Sequence, residues 1–318
     1  MQMVRLFIDG ISVEAKEGMT ILEAAKLAKV NIPTLCYLKK INEVGACRIC
    51  VVEVEGSDRL VSSCNTPVEE GMQVHTNSEK VRLARKTNLE LILSEHDCHC
   101  PTCVRNGNCK LQMLSAEMNV LDIPFEHKPA KNRWKASDIL LRKDSKCVKC
   151  LRCISVCDKV QGLGVWELRG SGAHANVVVR GGANLSTVCS LCGQCVTHCP
   201  VGALSVRDDT EKVFAAINNP EKIVVAQVAP AVRAAWGEGL GISPEIATEK
   251  RMAAAMRAIG ADYVFDTNFS ADLTIMEEGN EFIERLKNPD SNELPMFTSC
   301  CPGWVRFVKM EYPELVSN

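Results

Sequence analysis

A chain of 318 residues is long enough to bury sizeable cores and to divide into several domains. Its formal net charge of -2, with 24% charged residues, offers no basic field for a nucleic-acid backbone. The 18 cysteines come in tight C-x2-C groups with no export signal, which points to metal binding and away from a disulfide scaffold.

The first ten residues, M-Q-M-V-R-L-F-I-D-G, lack a signal-peptide pattern, and no stretch approaches the apolar length of a membrane span, so a cytoplasmic protein is expected. Residues 3–8 and 12–15 read as short strands around the turn pair Asp9-Gly10. Thr20, followed by I-L-E-A-A-K-L-A, predicts an N-capped helix with Glu23 at its third position. Cys36, Cys47, Cys50 and Cys64 follow with spacing C-x10-C-x2-C-x13-C, and V-V-E-V after Cys50 is strand-like. Plant-type [2Fe-2S] ferredoxins use C-x4-C-x2-C with a distant fourth ligand, so residues 1–78 read as a related small mixed domain with a longer cluster loop.

From Glu79 to His96 the text is helical, with apolar positions at Val81, Leu83, Leu89, Leu91 and Leu93. The second unit, 79–123, then carries His96, Cys98, His99, Cys100, Cys103 and Cys109. Taken as H-x3-C-x2-C-x5-C, His96, Cys100, Cys103 and Cys109 suit either an iron-sulfur cluster or zinc. Cys98 is then a spare thiol and His99 a surface imidazole, and Pro124 to Asp144 reads as a polar, basic connector.

The third domain, 138–208, holds the most specific signal. Cys147, Cys150, Cys153 and Cys157 form one C-x2-C-x2-C-x3-C run, and Cys189, Cys192, Cys195 and Cys199, before Pro200, form another. In two-cluster ferredoxins the fourth cysteine of each run ligates the other cluster. The expected [4Fe-4S] groupings are therefore Cys147, Cys150, Cys153 and Cys199, and Cys189, Cys192, Cys195 and Cys157. Asp158 stands where the second run has proline, which weakens the turn and leaves the ligands intact. The glycine-rich insert from Gly162 to Gly182 reads as a hairpin bridging the runs, and no phosphate-binding loop pattern occurs.

After Arg207 the chain alternates strand and helix: K-I-V-V-A-Q-V-A-P as a strand of the buried type, P-E-I-A-T-E-K-R-M-A-A-A-M-R-A-I-G as a helix ending at Gly260, Y-V-F-D as a strand, and D-L-T-I-M-E-E-G-N-E-F-I-E-R-L as a helix. Cys300 and Cys301, the only cysteines of this 209–318 α/β region, are expected where a strand ends. Glu278, Glu281 and Arg285 fall on one helical face, readable as a solvated charged surface or as titratable steps.

T-S-C-C-P-G-W at Thr298–Trp304 resembles the first active-site motif of the iron-only, or [FeFe], hydrogenases. The order of domains resembles their large multi-cluster members and the catalytic subunits of NAD(P)-linked, electron-bifurcating complexes. The resemblance implies an α+β multidomain chain: a β-grasp [2Fe-2S] domain, a small [4Fe-4S] domain with His96 and three cysteines as ligands, a two-[4Fe-4S] ferredoxin-like domain and the start of the hydrogenase catalytic domain. It also implies reversible H2 oxidation and proton reduction, with ferredoxin or flavin- and NAD(P)H-handling iron-sulfur subunits as partners. Cys301 would ligate the [4Fe-4S] part of the active-site H-cluster, and Ala229 and Pro230, within A-P-A-V-R, would line its two-iron part. Cys300 would relay protons through Glu278 and Glu281 to Arg285. That cluster needs three further cysteines from later motifs, and none follows Cys301. The expectation is a longer chain, or a second polypeptide, supplying them. The competing class is a non-catalytic electron-transfer subunit resembling the large iron-sulfur subunit of NADH dehydrogenase.

Overall fold

The structure, a computed structural model, describes residues 3–132, 139–288 and 294–318, so the expected start of the third domain at 138 lies outside the described residues. The chain forms two compact units, one through Arg207 and one from Asp208 onward.

In the first unit Asp9 and Gly10 take left-handed backbone, φ 49° and 80°. This turn folds β1 (Met3–Ile8) back on β2 (Ile11–Lys16) in antiparallel register from Met3↔Lys16 to Ile8↔Ile11. Strand alternation buries Val4, Leu6 and Ile8 on one face, against which α1 (Ile21–Leu27) packs Ile21, Leu22, Ala24 and Ala25. The helix begins as a capping box: the Thr20 hydroxyl accepts from the Glu23 amide while the Glu23 carboxylate accepts from the Thr20 amide. β3 (Val51–Val54), β4 (Val61–Ser62) and β5 (Gln73–His75) complete a mixed sheet ordered β2-β1-β5-β3-β4, with β5 parallel to β1.

Thr20→Ala is expected to cost about 1 kcal/mol, read as a lowered unfolding midpoint. A hydrogen bond from Lys39, then the Thr20 amide, hold the Glu23 carboxyl below its ordinary value despite partial burial. Because the folded value is depressed, this stabilisation is present above the unfolded value of 4.5 and disappears as pH falls through the folded one. Melting curves of the wild type and Glu23→Gln should therefore differ near neutrality and converge on acidification; a constant gap would assign the effect to another group.

α2 (Glu79–Ser94) is capped by Ser78, whose hydroxyl accepts from the Val81 amide. Val81, Arg85, Leu89 and Leu93, four residues apart, form its buried face, which leaves Leu83 and Leu91 exposed and ends the helix two residues before His96. α3 (Lys110–Glu117) buries Leu111 and Leu114 in the same core as Leu89. The expected connector ends early, because Leu140–Arg142 forms β6. α4 (Arg152–Lys159) runs through Asp158, so the first cysteine run ends inside a helix where the second meets proline. β7 (Trp166–Arg169) and β8 (Asn176–Val179) make the hairpin expected of the glycine-rich insert, and α5 (Leu185–Val188) and α6 (Gln194–Thr197) flank the second run. β9 (Leu204–Val206) returns to pair antiparallel with β6. Two cores result: Cys50 and Cys64 belong to the sheet core, Cys36 and Cys47 to the core shared with α2, α3 and both cysteine runs.

The second unit begins with α7 (Thr210–Ile217), β10 (Val225–Val228), α8 (Pro230–Ala235) and α9 (Glu249–Ile259). β11 (Tyr263–Asp266), parallel to β10, α10 (Thr267–Lys287) and α11 (Pro302–Glu311) follow. α9 starts later than the sequence suggests, because the Thr248 hydroxyl accepts from the Arg251 amide and caps it there; Gly260 closes it with φ 123°. The buried character expected of the first strand is not met: Val225 is 55% exposed, since among the described residues β10 pairs with β11 alone and its faces are only partly covered. The expected strand before the cysteine pair is also absent: residues 294–300 are irregular, and Cys301 is the N-cap of α11.

Candidate iron-sulfur and active-site centres

Cys36, Cys47, Cys50 and Cys64 are all buried. Cys50 directly precedes β3, and its carbonyl accepts from both the amide and the hydroxyl of Ser63, which fixes Cys64 beside it. The loop turns at Gly45 and Arg48, φ 64° and 54°, and a Cβ at Gly45 would lie 3.0 Å from the Ser62 hydroxyl. The thiols interact in pairs. Cys36 donates to Cys47 and Cys64 to Cys50, which pushes the donors up and holds Cys47 and Cys50 below the ordinary thiol value. The pairs also feel one another's charge, so all four sit around one locus.

His96 is buried and its Nδ1 has no hydrogen-bond partner. Burial first, then the charge of Lys146, lowers its pKa to about 4 and keeps the imidazole neutral, the form that ligates metals. Cys100, Cys103 and Cys109 are half-buried on the loop leading to α3. This loop leans on the turn after Cys199: the Lys110 amide donates to Pro200, and the Arg105 guanidinium donates to the carbonyls of Val196 and Cys199. Cys98 donates to the His96 carbonyl and His99 pairs with Asp97 at the surface. Gly202 has no room for a side chain, since a Cβ there would stand 2.6 Å from the Cys103 Sγ. Gly202→Ala is expected to displace that thiol, and iron held by His96 and Cys103 together would then be released faster to a chelator. Unchanged release would place Cys103 outside the ligand set.

The two cysteine runs fold alike. Lys149 and Leu151 flank Cys150 with φ 52° and 65°, and Leu191 and Gly193 flank Cys192 with φ 59° and 76°. One cavity is lined by Cys147, Cys150, Cys153 and Cys199, with Arg142 and apolar neighbours. The other is lined by Cys157, Cys189, Cys192 and Cys195, with Trp166 and Leu163. Burial pushes Cys150 and Cys195 up to about 12, so these thiols ionise only against a positive group such as iron. The Val165 amide donates to Cys157 and the Leu191 amide to Cys189, both at 3.3 Å.

Among the described residues no three His, Cys, Asp or Glu side chains converge to hold a single metal ion. Thiolates of a multi-iron cluster bind different irons and surround a volume, and the two cavities are such volumes. The buried quartet and the orphaned His96 Nδ1 likewise fit iron-sulfur groups.

The second unit offers a less complete donor set. Cys300 and Cys301 are exposed, and the sequence holds no cysteine beyond them, so the residues present do not fit a complete four-iron cluster. Ala229 and Pro230 open α8 directly after β10, a strand-to-helix turn in which Arg233 reaches Asp266 at 2.8 Å and Glu249 at 3.2 Å. On α10, Arg285 pairs with Glu281 at 2.6 Å and donates to the Asn318 carbonyl. Glu278 is half-buried one turn earlier, with no hydrogen bond to Cys300 among the described residues. Sequence reasoning missed Arg142 and Asp144, a buried ion pair beside the first cavity inside the supposed connector. Their signal was charge flanking an apolar Leu140-Leu141 pair.

Buried thiol sets ahead of an α/β unit with an exposed cysteine pair define a multidomain iron-sulfur protein. Residues 1–79 match a 2Fe-2S iron-sulfur cluster binding domain, 85–124 the NADH-ubiquinone oxidoreductase-G iron-sulfur binding region, 186–205 a 4Fe-4S binding domain, and 222–318 the iron only hydrogenase large subunit, C-terminal domain. The chain is 45% identical to the NADP-reducing hydrogenase subunit HndD of Solidesulfovibrio fructosivorans, over 99% of this chain and 56% of that protein. It is 36% identical to iron hydrogenase 1 of Clostridium pasteurianum, over 99% and 55%. A chain of an NAD+-reducing [NiFe]-hydrogenase, solved in the H2-reduced state, superposes with TM-score 0.59 at 30% identity, covering 64% of this chain and 87% of that one. The chain belongs to the iron-sulfur hydrogenase-like proteins, related to the large subunits of iron-only hydrogenases. It spans about half the length of the two hydrogenase relatives it matches from end to end. No helix among the described residues is long and apolar enough to cross a membrane.

Proposed function

We propose that residues 1–207 hold one [2Fe-2S] cluster, on Cys36, Cys47, Cys50 and Cys64 in a β-grasp domain, and three [4Fe-4S] clusters. The first of these uses His96, Cys100, Cys103 and Cys109; the second uses Cys147, Cys150, Cys153 and Cys199; the third uses Cys157, Cys189, Cys192 and Cys195. The carrying observation is the pair of cavities, each lined by three thiols of one run and one of the other. When bound, such groups take and give single electrons. The chain's own part is to keep the thiols dry and to aim backbone N–H groups at sulfur, as at Cys157 and Cys189.

The complete protein, on this reading, carries out reversible H2 oxidation and proton reduction in the cytoplasm. It exchanges electrons with ferredoxin or with a flavin- and NAD(P)H-handling subunit, in the manner of a bifurcating hydrogenase. Similarity over 99% of the chain to two proteins named as hydrogenases supports this. Cys301 would be a ligand of the active-site cluster, Ala229 and Pro230 would line its pocket, and Cys300, Glu278, Glu281 and Arg285 would move protons. The ion pair of Arg285 with Glu281 suits the outer end of such a route. A non-catalytic electron-transfer subunit is the second reading, favoured by the match of 85–124 to the NADH-ubiquinone oxidoreductase-G region. Iron analysis should give about 14 irons for the four accessory clusters. Infrared bands of CO and CN ligands in the matured full-length protein separate the two readings, and their absence would leave the electron-transfer one.

A further inference from the structure

The ten-residue gap between Cys36 and Cys47 places Asn42, a side chain with 0% exposure, against the first of the paired cysteine runs. Its Nδ2 donates to the Cys36 carbonyl at 2.7 Å and to the Cys150 carbonyl at 3.0 Å, and its Oδ1 accepts from the Ser155 hydroxyl at 2.7 Å. Both amide hydrogens are thereby committed, each to the backbone of a different candidate cluster ligand. The loop holding Asn42 is closed on itself, with the Leu38 and Asn42 backbones exchanging hydrogen bonds of 3.0 and 2.8 Å around Lys40, φ 63°. Arg152 makes a second tie to the same place, its Nε donating to Cys36 at 3.1 Å and its Nη2 to Tyr37 at 2.9 Å.

A buried amide needs partners, and any pair of carbonyls would satisfy it. Here one acceptor lies 108 residues beyond Asn42 and the other six residues before it, and they belong to cysteines of two different proposed sites. Resting on the cluster assignment above, we infer that Asn42 is the electronic bridge between the group held by Cys36, Cys47, Cys50 and Cys64 and the group held by Cys147, Cys150, Cys153 and Cys199. One electron crosses, so one group is oxidised by one as the other is reduced. No covalent bond forms or breaks, and no proton moves, because the amide does not titrate. The path between the two ligand backbones is a single nitrogen with two hydrogen bonds, whereas the Arg152 tie runs through a whole side chain. Asn42 thus acts as a positioning and coupling residue, and the long loop is what delivers it.

The test is rapid-freeze EPR on the full-length, cluster-loaded protein after a sub-stoichiometric pulse of dithionite, following redistribution between the [2Fe-2S] and [4Fe-4S] signals. Absence of these signals in the wild type would overturn the cluster assignment itself. With them present, Asn42→Ala should slow redistribution several-fold at unchanged iron content. If alanine loses iron, Asn42→Asp keeps the shape but lacks the two-hydrogen donor and should show the same slowing. Ser155→Ala should leave the rate as it is. A wild-type rate in the Asn42 variants would overturn the inference, and so would equal slowing in Arg152→Leu, which would make docking of the loop the cause.

Discussion

A full-length protein carrying Cys157→Ala is expected to lose about four irons, and to lose them from the site built by the other cysteine run. Cys153 and Cys157 lie one turn apart on α4, yet their thiols line different cavities, Cys153 with Cys147, Cys150 and Cys199, and Cys157 with Cys189, Cys192 and Cys195. Burial raises the Cys157 thiol, so this side chain is held for a positive group rather than for water. The mirror variant, Cys199→Ala, should empty the site of Cys147, Cys150 and Cys153. Iron analysis with EPR at graded potentials reads both results. Loss of the signal belonging to the mutated cysteine's own run, in either variant, would show that each run ligates by itself.

The second large effect is structural. Asp144→Ala should destabilise the cluster-loaded protein by about 3 kcal/mol, because it removes the carboxylate partner of a buried guanidinium. Arg142 and Asp144 meet at 2.8 Å with side chains only 1% and 2% exposed, and Arg142 also donates to Asn176 on β8 while lining the first cavity. Replacing both partners together, Arg142→Met with Asp144→Leu, should restore most of the loss, since apolar substitutes avoid the desolvation that the ion pair must offset. Thermal midpoints of cluster bleaching compare the three proteins. A single variant as stable as the wild type would mean that water reaches the pair.

Much of the first unit was legible because its signals are local and redundant. Asp9-Gly10 between alternating strands, the Thr20–Glu23 box and the doubled cysteine spacing each name one geometry. The second unit was less legible. A run such as K-I-V-V-A-Q-V states that a strand is apolar on both faces but not what covers them, and Val225 and Phe265 stay more than half exposed among the described residues. Pro295 to Thr298 carry strand-like residues, yet the chain there is irregular and Cys301 begins a helix followed by Pro302, a residue suited to a first helical turn. Neither Asn42 nor the Arg142–Asp144 pair carries a motif, since their meaning comes from partners distant in sequence or from burial that only the fold creates.

The left-handed residues around Cys150 and Cys192 bear on how such a protein comes to exist. Lys149, Leu151 and Leu191 have no glycine's freedom at φ 52°, 65° and 59°, and each gives up about 1–2 kcal/mol to stand there. Hydrogen bonds such as that from the Ser155 amide to the Leu151 carbonyl offset part of this cost, and bound clusters would offset more of it. Insertion of iron and sulfide then resembles the closing of a latch more than the filling of a mould. Supply of clusters during synthesis, rather than the ribosome's pace, would set when this half of the chain becomes native.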